Sequence, residues 1–227
     1  IQAFYKGKIK IYPHQISDIS IGIEEIAKVQ SPKLSDIIDY TLLWSDNTLA
    51  ARLAFQSAKA QGFTADAPGL QQSMEKLMSE LAIPATGLVV KDGAGLSHDT
   101  RISARMVSLL LTRIHSDPTL ALIHKSLPTS GVSGTLRHRY ITTAPEGVGL
   151  IQAKTGWINS TVSLAGYVTV GEKELVFTVI VDHLANKESL RQSARVAIDK
   201  MLASLAQPAP LVLPILTTPV LVDTATA

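Results

Sequence analysis

The sequence predicts a mixed α and β fold in which several helices accompany an antiparallel sheet. Before residue 130, apolar residues recur at helical spacing in segments that begin with cap-forming residues and end near Gly or Pro. Beyond residue 150 the period shortens, and three segments have the pattern of strands: 152–154, 162–170 and 174–181. Only residues 171–173 separate the last two, which predicts a hairpin and therefore antiparallel pairing.

The helices are expected in a defined order. Ser31 and Pro32 supply an N-cap and a first-turn residue for a helix that ends near Trp44, whose apolar stripe is Leu34, Ile37, Ile38 and Leu42. Further helices are predicted at 49–62, 68–81, 103–116 and 188–205. Another is expected to begin at Asp117 and Pro118. The predicted buried face of the last helix consists of Leu190, Ala194, Ala197, Ile198, Met201 and Leu205.

The two ends of the chain differ from the middle. Loose alternation within residues 1–23 favours short strands, and residues 1–206 are expected to form one domain. Residues 207–227 are apolar but contain four prolines, which exclude a membrane-spanning helix there and indicate a surface strap or a disordered end. We therefore expect no transmembrane segment in this chain.

Composition excludes several classes of function. The chain has 21 Lys and Arg against 19 Asp and Glu, with no basic run and no interleaving of basic and aromatic residues, which argues against nucleic-acid binding. It has no cysteine, so disulfides and thiolate metal sites are excluded. Its six histidines lack a paired spacing such as His-x-x-x-His. We accordingly expect no metal and no cofactor.

Two short motifs carry the chemical signal. Lys154, Thr155 and Gly156 lie in a predicted strand, where a cation and a hydroxyl can bind a carboxylate and a glycine lets a substrate lie close. Ser45 and Asn47 flank an aspartate in the turn between the first two predicted helices. Each motif is weak evidence alone, whereas the two together in this order are typical of one class of enzymes.

That order resembles the second and third motifs of penicillin-binding proteins and class A β-lactamases. The surrounding sequence is similar to the low-molecular-mass D-alanyl-D-alanine carboxypeptidases of the peptidase S13 family, of the penicillin-binding protein 4 type. The similar stretches, which span roughly residues 30 to 185, are 31–35, 92–97, 127–131, 134–136, 153–156 and 163–167. The resemblance implies a β-lactamase/transpeptidase-like three-layer sandwich, with the antiparallel sheet between helices.

The resemblance also implies the activity, a serine-type D-Ala-D-Ala carboxypeptidase or endopeptidase that forms an acyl-serine intermediate. Its substrates would be peptidoglycan stem peptides, its inhibitors β-lactam antibiotics, and its location extracytoplasmic, in the periplasm or cell envelope. Two alternatives stay open. One is a non-catalytic module that binds a peptidoglycan peptide or a partner, and the other is a β-lactamase or esterase on the same fold.

Six residues receive roles from the family pattern. The catalytic residues would be Ser45 as proton relay, Asn47 as amide donor to the substrate backbone, and Lys154 as the cation beside them. The substrate-binding residues would be Thr155 at the substrate carboxylate, Gly156 for close approach, and Trp157 through its backbone N–H as an oxyanion donor. From local sequence alone, Ser45 is equally well explained as the N-cap of the helix that begins at Asn47.

One family motif is missing. The acylated serine belongs to a Ser-x-x-Lys motif upstream of Ser45, and the only such spacing in the chain is Ser73 to Lys76, which follows it. That pair lies on a predicted helix with Lys76 pointing away from the core and Ser73 at its flank, so we reject it as the nucleophile. We expect instead that this chain is the C-terminal part of a longer protein that carries the nucleophile.

Overall fold

The structure is a computed structural model that describes residues 30–207. The strands predicted within 1–23 and the tail from residue 208 onward lie outside this part, and the domain boundary at 206 stays a prediction. The described elements, in chain order, are α1 (Leu34–Trp44), α2 (Asn47–Ala60), α3 (Ala67–Glu80), α4 (Ala104–Ser116), α5 (Ala121–Lys125), β1 (Ile151–Ile158), β2 (Thr161–Val170), β3 (Lys173–Val181) and α6 (Glu188–Ala206).

The three strands form one antiparallel sheet in the order β1-β2-β3. The predicted hairpin is confirmed, and the register places Lys154 opposite Ala165 and Gly156 opposite Ser163. The outer edge of β1 is paired only at its start, where the Ala153 N–H donates to the Pro128 carbonyl at 2.9 Å. Between residues 30 and 207, no backbone hydrogen bond continues along that edge beyond Ala153. The second half of β1 is therefore an open edge.

Helices cover both faces of the sheet. On one face α6 packs against β1 and β2, and the core between them includes Ile151, Leu164 and Leu202, each with an exposed fraction of 1% or less. On the other face α4 packs against β2 and β3, where the Ser108 hydroxyl lies 2.9 Å from that of Thr178. This confirms the three-layer arrangement that the family resemblance implies.

A second apolar core lies among the helices. It includes Leu70 and Met78 of α3, Ala58 of α2 and Met106 of α4, all almost fully buried. Because α4 places Met106 here and Leu111 in a separate smaller core with Tyr167, on the sheet face that α4 covers, one helix contributes to both of these cores.

The face that α6 buries differs from the prediction. Ile198 is buried as expected, but Leu190, Met201 and Leu205 are 41%, 50% and 47% exposed, and Ala197 is exposed as well. The helix instead turns Asp199 inward, where the carboxylate accepts two hydrogen bonds from the buried Arg139 guanidinium. Because Asp199 is paired with Arg139, a charged residue lies on the buried face of α6. A prediction that uses only the apolar residues therefore gives the wrong rotation of this helix.

The first helix begins at a later residue than predicted, and the second is capped by Asp46. α1 starts at Leu34 because Lys33 is extended, with φ −60° and ψ 150°, and the Lys33 side chain makes no capping hydrogen bond. Leu34, assigned to the apolar stripe, is 61% exposed. α2 starts at Asn47, two residues before the first predicted apolar position, because the Asp46 carboxylate accepts the Leu49 N–H at 2.9 Å and caps the helix there.

None of the helices within residues 30–207 has both the length and the apolar character needed to cross a bilayer.

The buried pair gives a first prediction. Asp199→Ala leaves the Arg139 cation buried without its partner, which we expect to lower the free energy of unfolding by about 3–5 kcal/mol in urea titrations. The matched control is Glu80→Ala, which breaks the exposed Lys76–Glu80 pair at 2.7 Å and should cost no more than about 0.5 kcal/mol. Similar losses in both variants would contradict a structural role for the buried pair.

Candidate active site

The site centres on a hydrogen bond between two residues 109 positions apart in sequence. The Lys154 ammonium on β1 donates to the Ser45 hydroxyl at 2.6 Å and to the Thr155 carbonyl at 3.0 Å. Burial lowers the pKa of Lys154, because a partly desolvated ammonium is less stable in its charged form. The structure thus brings together the predicted cation and the predicted relay hydroxyl.

Ser45 has an unusual backbone conformation. It ends α1 in the left-handed region, with φ 59° and ψ 48°, where glycine is the common residue. Its backbone N–H donates to the Thr41 carbonyl, and the next residue, Asp46, is the N-cap of α2. The alternative that Ser45 caps α2 is therefore wrong, and its hydroxyl contacts Lys154 instead. Strained backbone of this kind is found disproportionately at functional sites.

A threonine that the sequence did not single out lies beside the predicted site. The hydroxyl of Thr135 is 3.1 Å from that of Thr155. Thr135 sits in a 3₁₀ turn that begins at Gly134, which has φ 52° and approaches α1 so closely that a Cβ would lie 2.3 Å from the Leu43 carbonyl oxygen. Residues 134–136 are one of the stretches that resemble the family, so the signal was present without a role attached to it.

Gly156 and Trp157 follow on the same strand. A Cβ on Gly156 would lie 2.2 Å from the Ser163 hydroxyl of the neighbouring strand, so this glycine leaves room for that hydroxyl in its present position. The Trp157 ring lies 5.8 Å from the guanidinium groups of both Arg191 and Arg195 on α6. The bulk of Trp157 is therefore directed toward α6, not toward Lys154.

The backbone of Trp157 faces the open edge of β1. In an antiparallel pair, successive N–H groups point alternately toward and away from the neighbouring strand. The Ala153 N–H points away from β2, toward Pro128, and Trp157 is four residues further along with the same parity. Its N–H is thus available at the edge, as an oxyanion donor must be.

Asn47 lies at the margin of this group. It is exposed at the first turn of α2, where it lines an open cavity of about 680 Å³ together with Phe55 and Asp92. The Asp92 carboxylate accepts backbone N–H groups from four residues of its own turn: Ala94, Gly95, Leu96 and Ser97. Burial raises the pKa of Asp92, but these four hydrogen bonds together hold it below its ordinary value. The 92–97 turn is thus stabilised by hydrogen bonds within itself, and it lines one side of the cavity.

A second cavity, of about 420 Å³, adjoins the end of β1. Gly156, Trp157 and Ser163 line one side of it, and Ser97 and Arg101 line the other. Ile180 of β3 and Asp182 also line it, so the cavity extends across the ends of all three strands.

Comparison with known proteins identifies this arrangement. Residues 6–205 match the model of the D-Ala-D-Ala carboxypeptidase 3 (S13) family. The chain belongs to the peptidase S13 family. It is 30% identical over 188 residues to carboxypeptidase DacB of Mycolicibacterium smegmatis, covering 81% of this chain and 40% of that protein. It is 33% identical over 166 residues to a D-alanyl-D-alanine carboxypeptidase of Actinomadura, covering 69% of this chain and 30% of that protein.

A solved structure agrees on the fold. Penicillin-binding protein 4 of Haemophilus influenzae, in complex with a β-lactam, superposes with a TM-score of 0.66 at 20% identity, over 76% of this chain and 41% of that one. The S13 chain described here therefore spans less than half the length of each of these three proteins.

The Ser73 and Lys76 pair plays no part in the site of this S13 chain. Ser73 is buried, closer to the core than predicted, and its hydroxyl accepts a hydrogen bond from the Gln61 amide at 2.8 Å. Lys76 is exposed and pairs with Glu80 at 2.7 Å. Each side chain is engaged by a different partner, which agrees with the rejection of this pair as the nucleophilic motif.

The left-handed conformation of Ser45 gives a second prediction. Ser45→Ala and Ser45→Gly both remove the hydroxyl that accepts the hydrogen bond from Lys154. Only Ser45→Gly also relieves the backbone strain, so it should be more stable than Ser45→Ala by about 1 kcal/mol in urea unfolding. Equal stability of the two variants would show that this backbone is not strained.

Gly134 gives a third prediction, because it sets how closely the turn that carries Thr135 approaches α1. Gly134→Ala should cost about 1 kcal/mol for its positive φ and roughly 1–3 kcal/mol more for the clash with Leu43. The control is Gly171→Ala, whose φ of 60° is similar but whose Cβ would meet no atom within 4 Å. Urea unfolding should therefore rank Gly134→Ala as the more damaging change. The reverse ranking would rule out the close approach.

Proposed function

We propose that this chain forms the substrate-binding wall of a serine-type D-Ala-D-Ala carboxypeptidase that acts on peptidoglycan stem peptides. The observation that carries the proposal is the hydrogen bond from Lys154 to Ser45, beside the paired hydroxyls of Thr155 and Thr135. A cation and hydroxyls at an open strand edge suit the terminal carboxylate of a peptide. Membership of the S13 family and the names of the curated relatives support the same activity.

In the proposed reaction, a serine hydroxyl attacks the carbonyl between the two terminal D-alanines. Its proton passes through the Ser45 hydroxyl, which can accept one hydrogen bond while it donates another, to the nitrogen of the departing D-alanine. Lys154 holds Ser45 in place and favours negative charge nearby. The resulting acyl-serine ester is then hydrolysed by water. The attacking serine is proposed to lie outside this chain. The one Ser-x-x-Lys sequence in the chain is Ser73 to Lys76, and these two side chains bond to Gln61 and Glu80 instead.

Two further groups are proposed to act at the edge of β1. The Thr155 hydroxyl, supported by Thr135, would bind the carboxylate of the last D-alanine, with Lys154 as the neighbouring cation. The Trp157 N–H would stabilise the oxyanion of the tetrahedral intermediate. Asn47, at the mouth of the larger cavity, would donate its amide to the substrate backbone. This geometry accepts a peptide lying along the open edge.

Inhibition by β-lactams and an extracytoplasmic location belong to the same proposal. The solved structure of penicillin-binding protein 4 from Haemophilus influenzae contains a β-lactam, and an endopeptidase of Bdellovibrio bacteriovorus with a TM-score of 0.53 was solved acylated by penicillin G. A penicillin presents the carbonyl of its β-lactam ring and a carboxylate on the fused ring, as the D-Ala-D-Ala end presents a peptide carbonyl and a terminal carboxylate, so the same groups would bind it.

A fluorescent penicillin tests the proposal and gives the fourth prediction. The full-length protein should be labelled covalently, and Lys154→Ala should slow labelling by about 10²–10³-fold, because the cation beside the relay and the carboxylate is lost. The control is Lys76→Ala, which removes an exposed lysine of α3 and should label at the normal rate. Release of D-alanine from a pentapeptide, followed in the same variants, distinguishes carboxypeptidase activity from endopeptidase activity.

The opposite outcomes are equally informative. A full-length protein that takes no label but binds a D-Ala-D-Ala peptide would replace the enzyme proposal with a binding module. Labelling at the same rate in Lys154→Ala and Lys76→Ala would remove Lys154 from the mechanism. Label that is released within seconds would indicate a β-lactamase on the same fold.

A further inference from the structure

A cluster of potential metal ligands lies on the sheet face that α4 covers. It consists of His115 at the end of α4, His124 in α5 and Glu174 near the start of β3. One ligand atom from each lies within 4.8 Å of the other two. Three separate elements therefore place two imidazoles and a carboxylate together, and the proposed peptidase reaction uses none of them.

Both imidazoles of the cluster lie beside the same carboxylate, that of Glu174. The His115 Nδ1 lies 3.0 Å from one Glu174 oxygen, and the His124 Nε2 lies 3.4 Å from the other. The His124 Nε2 is nevertheless buried without a hydrogen-bond partner in the described residues. A neutral imidazole nitrogen that faces a carboxylate repels it unless a proton or a cation lies between them. One cation would satisfy all three groups.

The surroundings hold the imidazoles in place. The Tyr167 ring on β2 lies with its centroid 4.1 Å from that of His124 and 5.8 Å from that of His115. The Tyr167 hydroxyl is already used, since it donates to the Leu111 carbonyl at 2.8 Å. Tyr167 therefore packs against the two imidazoles but is not itself a ligand candidate.

The donor set and spacing match zinc. Zn²⁺ prefers imidazole nitrogen and carboxylate oxygen in tetrahedral sites with bonds of about 2.0–2.2 Å, which places neighbouring ligand atoms about 3.4 Å apart. The His115 Nδ1 and the His124 Nε2 lie 3.0 and 3.4 Å from the two Glu174 oxygens, near this value. All three ligand atoms lie within 4.8 Å of one another, and the half-exposed side chain of His115 has room to move toward the other two.

We propose that His115, His124 and Glu174 bind one Zn²⁺ ion, with water in the fourth position. The ion would tie the α4–α5 corner to the hairpin of β2 and β3 in a chain that has no disulfide. Its role would be structural, since the proposed peptidase reaction uses none of the three ligands. The absence of a His-x-x-x-His spacing does not bear on this site, because its ligands come from three elements.

The test, and the fifth prediction, uses tag-free full-length protein stripped with a chelator. Titration with Zn²⁺ at pH 7.5 against a chromophoric chelator should show one ion per chain. The thermal midpoint should rise by about 3–5 °C at a free zinc concentration 100 times the Kd, because the full-length protein is large. Co²⁺ should give visible absorption bands of a tetrahedral complex, which report on the ligand geometry independently of any activity.

Variants identify the ligands. Glu174→Gln keeps the shape of the side chain, and His124→Ala removes the buried imidazole; both should lose stoichiometric zinc binding and the Co²⁺ bands. The control is His138→Ala, an exposed histidine outside the cluster, which should bind like the wild type. Absence of stoichiometric binding in the wild type, or undiminished binding in Glu174→Gln with its circular dichroism unchanged, would overturn the proposal.

Discussion

A partly buried ammonium group needs acceptors in place of the water it has lost, and at Lys154 these are the Ser45 hydroxyl and the Thr155 carbonyl. This requirement connects the sheet to the turn between α1 and α2. Gly134 permits the close approach of the 3₁₀ turn to α1, and Gly156 leaves room for the Ser163 hydroxyl of the neighbouring strand. The geometry of the site thus depends on satisfying one cation from two parts of the fold.

The strain at Ser45 and the chemistry proposed for it have a common origin. A glycine would adopt the left-handed conformation at lower cost, but it would leave Lys154 without its hydroxyl partner. Asp46 takes over the capping of α2, so the serine side chain is not drawn toward that helix. The capping of α2 and the contact with Lys154 are thereby divided between two adjacent residues.

Much of the fold and part of the site were predictable from local pattern. The hairpin and the helices follow from periodicity, and the proximity of Ser45 to Lys154 is implied by the resemblance of their two motifs to those of the family. The rotation of α6 was not predictable, because the inward position of Asp199 depends on Arg139, which is 60 residues away. Similarly, His115, His124 and Glu174 share no local spacing, so only tertiary structure brings them together. Thr135 had a sequence signal but acquires a role only through its contact with Thr155.

The participation of α4 in both cores has a consequence for cooperativity. Its first half packs among the helices through Met106, and its second half packs on the sheet through Leu111. Opening either core would free part of this helix and so would weaken its packing in the other core as well. The helical core and the sheet are therefore coupled through a shared element.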